Sequence, residues 1–338
     1  MKVELRHLRC PACGAGWRML VETWDGKIKC LQCQEVFTVG YGIRYGYPRL
    51  PIAKRFKEYL ALVRPFTLLA PLMAGLIGTA LPILAEGGSW THCWRETIFV
   101  AVTLMLLQAV GQITNQIFDI EVDRINKPYR PLARGAISVD EAWSLAWLLA
   151  IVALARAFLI STTFGMFAII ILVMALLYNM PPRLKKNAWL GNLWLGVSRG
   201  FIPFVATWSV YGSLSDSFPY VVGIFAFLWV LALNVTKDLP DVEGDRKMGI
   251  VTLPVKYGVE RTAKIIKAML VLPFAWITGA VFLVSGAYIV YFGLLPVAVI
   301  AAWGLRKSFV VENTIAWGAF YGGLGLIYLL SLGLWLVV

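Results

Sequence analysis

"NQIFDIEVDRINKPYRPL", residues 115–132, lies at the foot of a long apolar run and carries Asp119, Glu121 and Asp123, then Arg124, Lys127 and Arg130. A second stretch, "KDLPDVEGDRKMG" at 237–249, ends another apolar run in the same manner. Aligned on their carboxylates, Asp119-Ile-Glu-Val-Asp123-Arg124 becomes Asp241-Val-Glu-Gly-Asp245-Arg246. The form D-apolar-E-x-D-R therefore occurs twice, which points to a duplicated helical unit. A solvated loop of mixed charge is the plain alternative for one copy alone, and the second copy at an equivalent place argues against it.

The surroundings are those of a membrane protein. Of 338 residues, 59% are hydrophobic and only 15% charged, with a mean hydropathy of +0.73, far more apolar than a soluble domain. Nine apolar runs, at about 64–85, 97–117, 141–160, 163–180, 189–211, 219–237, 265–285, 288–305 and 313–338, each approach the roughly 20 residues that cross hydrocarbon. The net charge of +12 does not indicate nucleic acid, because the basic residues alternate by loop. Arg124, Lys127, Arg130 and Arg134 follow run two, Arg183, Lys185 and Lys186 follow run four, and Lys237, Arg246, Lys247, Lys256, Arg261 and Lys264 follow run six, whereas the intervening loops hold almost none. This alternation predicts an integral protein of the cell (plasma) membrane with a cytoplasmic N-terminus, cytoplasmic acidic motifs and the C-terminus outside. No signal peptide is expected.

Residues 1–42 differ from the rest. Cys10, Cys13, Cys30 and Cys33 form CxxC-x16-CxxC, the spacing of a four-thiolate structural zinc ribbon. Strand-like segments are expected at 18–23, 26–28 and 36–39. Two disulfides and a rubredoxin-like iron are the competing readings, and no partner for this module is legible. Residues 43–60 read as a basic interfacial linker whose Lys54, Arg55 and Lys57 suit an anionic surface. The membrane body is 61–338.

On a helix, Asn115, Asp119 and Asp123 share one face, as do Asp241 and Asp245, with Asp238 close to that line. Like charges at this spacing repel unless a cation lies between them. Carboxylates suit Mg²⁺, which takes one or two per ion and fills its remaining positions with phosphate oxygens and water. Two such clusters suit one diphosphate gripped from both sides, with Lys127, Arg130, Arg134, Arg183 and Lys185 neutralising the rest of its charge. Gln108, Gln112 and Gln116 form a polar stripe that should face the bundle interior, as interhelical glue or as part of the site. Arg199 sits deep in run five and needs an internal partner, a ligand or a water-lined cavity.

These residues resemble the UbiA superfamily of membrane prenyltransferases over about 55–338. "NQIFDIEVDRINKPYRPL" is similar to that family's first motif, N-D-x-x-D-x-x-x-D, with Gln116 where an Asp is usual, and "KDLPDVEGDRKMG" to its second. "YNMPPRLKKNAWLGN" at 178–192 and "VRPFTLL" at 63–69 resemble two further family segments. The resemblance implies an all-α bundle of nine transmembrane helices. It implies Mg²⁺ on Asn115, Asp119, Asp123, Asp241 and Asp245, and a polyprenyl diphosphate met by Arg64, Lys127, Arg130, Arg183, Lys185 and Lys237. Tyr178 would face the carbocation and Asp238 would take the released proton, while Gln116, Asn192 and Arg199 are candidates for binding the lipophilic acceptor. For that acceptor the resemblance points first to an aromatic quinone or tocopherol precursor. Geranylgeranylglyceryl phosphate, as in ether-lipid synthesis, and a chlorophyllide are the alternatives. An ion-coupled transporter, the rival from another class, would place its acids near the bilayer midplane rather than at helix ends.

Overall fold

The computed structural model describes residues 4–10, 16–21, 27–30, 34, 36–38, 52–306 and 314–337. At the N-terminus, β1 (Glu4–Arg9) pairs antiparallel with β2 (Gly16–Val21), and β3 (Lys27–Lys29) pairs antiparallel with β4 (Val36–Thr38). These hairpins match the expected strands at their middles, and β1 adds one that sequence pattern did not suggest. Cys10 and Cys30 follow β1 and β3 directly and are buried. Cys13 and Cys33 lie outside the described residues, and with them the four-thiolate site.

The body is helical. Helix α1 (Ile52–Val63) runs through the expected linker boundary, and Arg55 ties it to Glu141 at 2.6 Å. A left-handed Arg64 and a 3-10 turn then lead into α2 (Leu69–Ala85). The long α3 (Trp90–Phe118) carries the first acidic motif at its end, and that motif forms the short α4 (Ile120–Asn126). Helix α5 (Val139–Ile160) starts where Ser138 accepts from the Glu141 N–H, with Asp140 and Glu141 complementing the helix dipole. Its buried residues Ala142, Ala146, Ala150, Ala153 and Ala157 recur every three or four positions, a seam of small side chains suited to close packing in a bilayer. Helix α6 (Thr162–Asn179) follows after a single capping serine, Ser161.

The expected fifth run is not one regular helix. It consists of α7 (Ala188–Gly196), a π turn at Val197–Phe201 and α8 (Ile202–Trp208). The deeply buried α9 (Phe218–Leu233) stands against it and passes through a 3-10 turn, Asn234–Asp238, to the second motif on α10 (Val242–Lys247). Beyond come α11 (Leu253–Tyr257), α12 (Val259–Met269), α13 (Val271–Leu283), α14 (Leu295–Gly304) and α15 (Thr314–Val337). Among the described residues, 8 helical stretches are long and apolar enough to cross a membrane. The expected count of nine included the interrupted segment, because hydropathy registers composition and does not register a π turn.

The duplication suggested by the acidic motifs extends to the backbone. Among the described helical-body residues, only Arg64 and Arg183 are non-glycine residues with positive φ, 55° and 54°. Each precedes a 3-10 turn and a helix pair that ends in an acidic motif. A left-handed conformation is unfavourable for a side chain of this size and clusters at functional sites.

Candidate active site

Both motifs use the same local device. The helix breaks at the first carboxylate, so Asp119 and Asp241 stand at the N-terminal boundary of short helices. One turn on, Asp123 and Asp245 are buried. The Asp123 N–H still donates to the Asp119 carbonyl at 2.7 Å, and the Asp245 N–H to the Asp241 carbonyl at 3.1 Å, so the i,i+4 spacing read from sequence holds across each break. The intervening glutamates turn outward, Glu121 to Arg124 and Glu243 to Lys247, each at 2.6 Å.

The two motifs face one cavity of about 370 Å³. Asp119, Asp123, Asp238, Asp241 and Asp245 line it, with Asn115 and the cations Arg64, Lys127, Arg130, Lys185, Arg199 and Lys237. Asn115 donates to Asp119 Oδ2 at 3.0 Å, the contact expected of their shared face. Asp119 also accepts from Lys185 Nζ at 2.8 and 2.7 Å and from Arg183 Nη2 at 2.9 Å. Arg130 Nη1 reaches both oxygens of Asp123, at 2.8 and 2.7 Å. Lys127 crosses to pair with Asp241. Asp238 and Asp245 form no ion pair among the described residues, and Asp245 has only the Thr252 hydroxyl, at 3.4 Å. Burial, with Asp238 and Asp241 nearby, pushes the Asp245 carboxyl up to about 7. Burial also lowers the Lys185 ammonium, against the pull of Asp119.

Tyr178 lies at the cavity wall as expected. Its hydroxyl accepts from Lys237 Nζ at 3.0 Å, and the ammonium groups of Lys237 and Lys185 lie 5.3 and 5.9 Å from its ring centroid. The ring is thus already arranged toward positive charge. Asn192 also lines the cavity. Its amide donates to the Leu231 carbonyl at 2.7 Å, and among the described residues its buried oxygen and that of Asn234 have no donor.

Two expectations need correcting. Gln116 is not at the cavity: it is buried, and its amide donates to the Leu62 carbonyl at 2.6 Å, fastening α3 to the end of α1. The polar stripe divides, with Gln112 at the main cavity, where it accepts from Arg64 at 3.0 Å, and Gln108 at a neighbouring chamber. Arg183 likewise stands behind Asp119 as a brace, bonded also to the Phe118 carbonyl at 3.0 Å, and does not line the cavity. A single helical period identifies a face but cannot say which neighbour that face meets.

Asn126 was not singled out by sequence pattern. Its amide donates to the Asp241 carbonyl at 2.9 Å, and its oxygen accepts from the Gly244 N–H at 3.0 Å. A Cβ on Gly244 would lie 2.5–2.6 Å from that amide, which explains a glycine here where the first motif has Val122. The signal was its place three residues past Asp123, inside the motif's tail. Tyr321, from the last helix, closes the cavity with no local signal at all.

The model of the UbiA prenyltransferase family matches residues 68–321. The chain belongs to the UbiA prenyltransferase family. It is therefore a membrane enzyme that transfers prenyl groups. Among curated relatives, it is 30% identical over 269 residues to a digeranylgeranylglyceryl phosphate synthase of Thermococcus sibiricus, covering 78% of this chain and 85% of that protein. It is 32% identical over 284 residues to an Oryza sativa subsp. japonica protein described as a probable homogentisate phytyltransferase 2, chloroplastic, covering 77% and 74%. A solved structure of a UbiA homologue from Archaeoglobus fulgidus, bound to DMAPP and Mg²⁺, superposes with a TM-score of 0.65 at 20% identity, over 83% of this chain and all of that one. The fold is thus the UbiA fold.

Proposed function

We propose that this UbiA enzyme moves an isoprenyl group, in a Mg²⁺-dependent reaction, from a polyprenyl diphosphate to a lipophilic acceptor. The observation that carries the reading is the cavity itself, where two copies of one acidic motif converge beside six cations. Mg²⁺ suits this donor set, which is all oxygen. No three acidic or thiolate side chains among the described residues converge closely enough to make a metal site by themselves, consistent with an ion that takes its other ligands from phosphate and water. Asn115, Asp119, Asp123, Asp241 and Asp245 would hold the metal, which would stabilise charge on the departing diphosphate. Arg64, Lys127, Arg130, Lys185 and Lys237 are its partners in the chain, with Arg183 supporting from behind Asp119. Tyr178 would face the allylic cation with its ring, and Asp238, which forms no ion pair among the described residues, would take the proton released by the acceptor.

An aromatic quinone or tocopherol precursor is the first acceptor reading, supported by likeness to the homogentisate phytyltransferase. Geranylgeranylglyceryl phosphate is the second, supported by likeness to the Thermococcus sibiricus protein over 85% of its length. In this reading the interrupted Ala188–Trp208 segment is a ninth crossing. The site and N-terminus face the cytoplasm at the cell membrane, and Cys10, Cys13, Cys30 and Cys33 hold a structural Zn²⁺. The test is incubation of the purified protein with radiolabelled geranylgeranyl diphosphate, Mg²⁺ and four acceptors in turn: 4-hydroxybenzoate, homogentisate, geranylgeranylglyceryl phosphate and chlorophyllide. Mg²⁺-dependent product on one acceptor identifies the substrate, and product on none contradicts the proposal.

A further inference from the structure

Gln116 is buried next to Asn115 in the chain, yet it turns away from the cavity that Asn115 and Asp119 line. Aligned on their leading carboxylates, the two motifs place Gln116 opposite Asp238. Asp238 lines the cavity, whereas the Gln116 amide donates to the Leu62 carbonyl at 2.6 Å. The first copy therefore has a hydrogen-bond donor where the second has a carboxylate. An ionised aspartate at 116 could not make this contact. It has no proton to donate, and it would set a negative charge against a carbonyl oxygen inside the protein.

Leu62 belongs to the last turn of α1, where a helix runs out of donors for its carbonyls. Two residues on, Arg64 takes a left-handed φ of 55° and ψ of 71° and turns the chain into the 3-10 turn before α2. That backbone is unfavourable for a large side chain and persists where its surroundings enforce it. Here they do so from three directions. Gln116 holds the chain just before the corner. The Thr67 N–H and hydroxyl donate to the Arg64 carbonyl at 2.9 and 2.8 Å. Gln112, one turn before Gln116 on the same face of α3, accepts from Arg64 Nη1 at 3.0 Å. Helix α3 thereby fixes both the backbone and the guanidinium of this corner, and Arg64 lines the cavity. The body of α1 is anchored separately, by Glu58 with Arg134 and by Arg55 and Tyr59 with Glu141. Losing the Gln116 contact should release the corner and leave the helix in place.

Resting on the prenyl-transfer reading, we propose that Gln116 is a positioning residue for Arg64. By holding the Leu62 carbonyl it keeps the corner left-handed and the guanidinium at the donor's diphosphate, without touching substrate itself. Donor affinity then depends on an amide at 116, and the dependence runs through Arg64 rather than through the neighbouring Asn115.

The test uses the full chain in detergent and compares wild type, Gln116→Met, Arg64→Gln and the double variant. Methionine matches glutamine in length and cannot donate. Gln116→Met should bind geranylgeranyl diphosphate with Mg²⁺ about 10-fold more weakly, as for a lost hydrogen bond to a charged group. Arg64→Gln should weaken it at least as much, and the double variant should be no weaker than Arg64→Gln alone, because both act on one contact. The Mg²⁺ concentration for half-maximal binding at saturating donor should stay within about twofold of wild type in Gln116→Met, since Asn115 is not disturbed. In the ligand-free protein, the Arg64 and Thr67 amides of Gln116→Met should exchange hydrogen about 10-fold faster while those of α9 do not change. Gln116→Asn, whose amide is one carbon too short for the carbonyl, should match Gln116→Met and serves if the latter does not fold. Unchanged donor binding in a folded Gln116→Met overturns the proposal, even with a lower melting temperature, because the glutamine would then be merely structural. So does an additive loss in the double variant, or a shifted Mg²⁺ requirement, which would route the effect through Asn115. If the corner loosens as expected but wild type itself does not bind geranylgeranyl diphosphate, the prenyl-transfer reading fails and the clamp on Arg64 stands.

Discussion

The two acidic motifs share a sequence form and a backbone form, yet their charges are met differently. In the first, Asp119 and Asp123 are both held by cations, from Arg183 and Lys185 and from Arg130. In the second, among the described residues, only Asp241 is paired, and its partner Lys127 comes from the tail of the first motif. Asp238 and Asp245 face the cavity without an ion pair, so the second half carries the excess of negative charge. The halves are therefore not interchangeable: one is electrostatically closed, and the other is completed by the first half and by whatever cation enters. Asn126 makes the same point in backbone terms, as it bonds both the Asp241 carbonyl and the Gly244 N–H.

The largest effect should come from removing either motif's leading carboxylate. Asp119→Ala and Asp241→Ala should each lower prenyl transfer by about 1,000-fold or more, in keeping with the loss of groups that stabilise developing charge, while the protein still folds. Near wild-type rates in both would break the comparison. Asn126→Ala removes two hydrogen bonds of about 1 kcal/mol each, so transfer should fall about 10- to 30-fold. Gly244→Ala should do similar damage by pushing the same amide aside. Because both act on one contact, the double variant should be less impaired than the sum of the single variants.

The unpaired carboxylate of the second half should make itself felt in pH. Asp245, held up to about 7 by burial and its acidic neighbours, is increasingly protonated below that pH and then binds a cation less well. The Mg²⁺ concentration needed for half-maximal rate should rise about tenfold for each unit of pH below 7, as a magnesium titration at pH 6, 7 and 8 will show. Smallest of all, Glu121→Gln and Glu243→Gln should leave transfer within about twofold. Both glutamates point outward, with side chains 61% and 72% exposed, although the motif repeats them as faithfully as its aspartates.

Much of this was legible in the chain. The paired D-apolar-E-x-D-R stretches, the alternation of basic loops and the apolar runs led to the membrane bundle and to the carboxylates of the cavity. What stayed hidden depended on where one helix meets another. Gln116 shares a face with Gln108 and Gln112, but at that height the face meets the Leu62 carbonyl and not the cavity. Arg156, inside an apolar run, lies over the Phe99 ring of the neighbouring helix and donates to the Phe99 carbonyl at 3.0 Å, a partner that its own run does not reveal. Tyr321 arrives from the last helix, and the break at Val197–Phe201 has no hydropathy signature. Periodicity reports the direction of a side chain relative to its own helix, and sites made between helices need the packing as well.

The central claim is that both motifs form one donor site. Its most direct test is equilibrium binding of geranylgeranyl diphosphate to wild type, Asp119→Ala and Asp241→Ala across a magnesium titration. A shared site predicts that each single variant loses the magnesium-dependent gain in affinity that the wild type shows. Wild-type binding by either variant would contradict it, because one motif would then hold the diphosphate without the other.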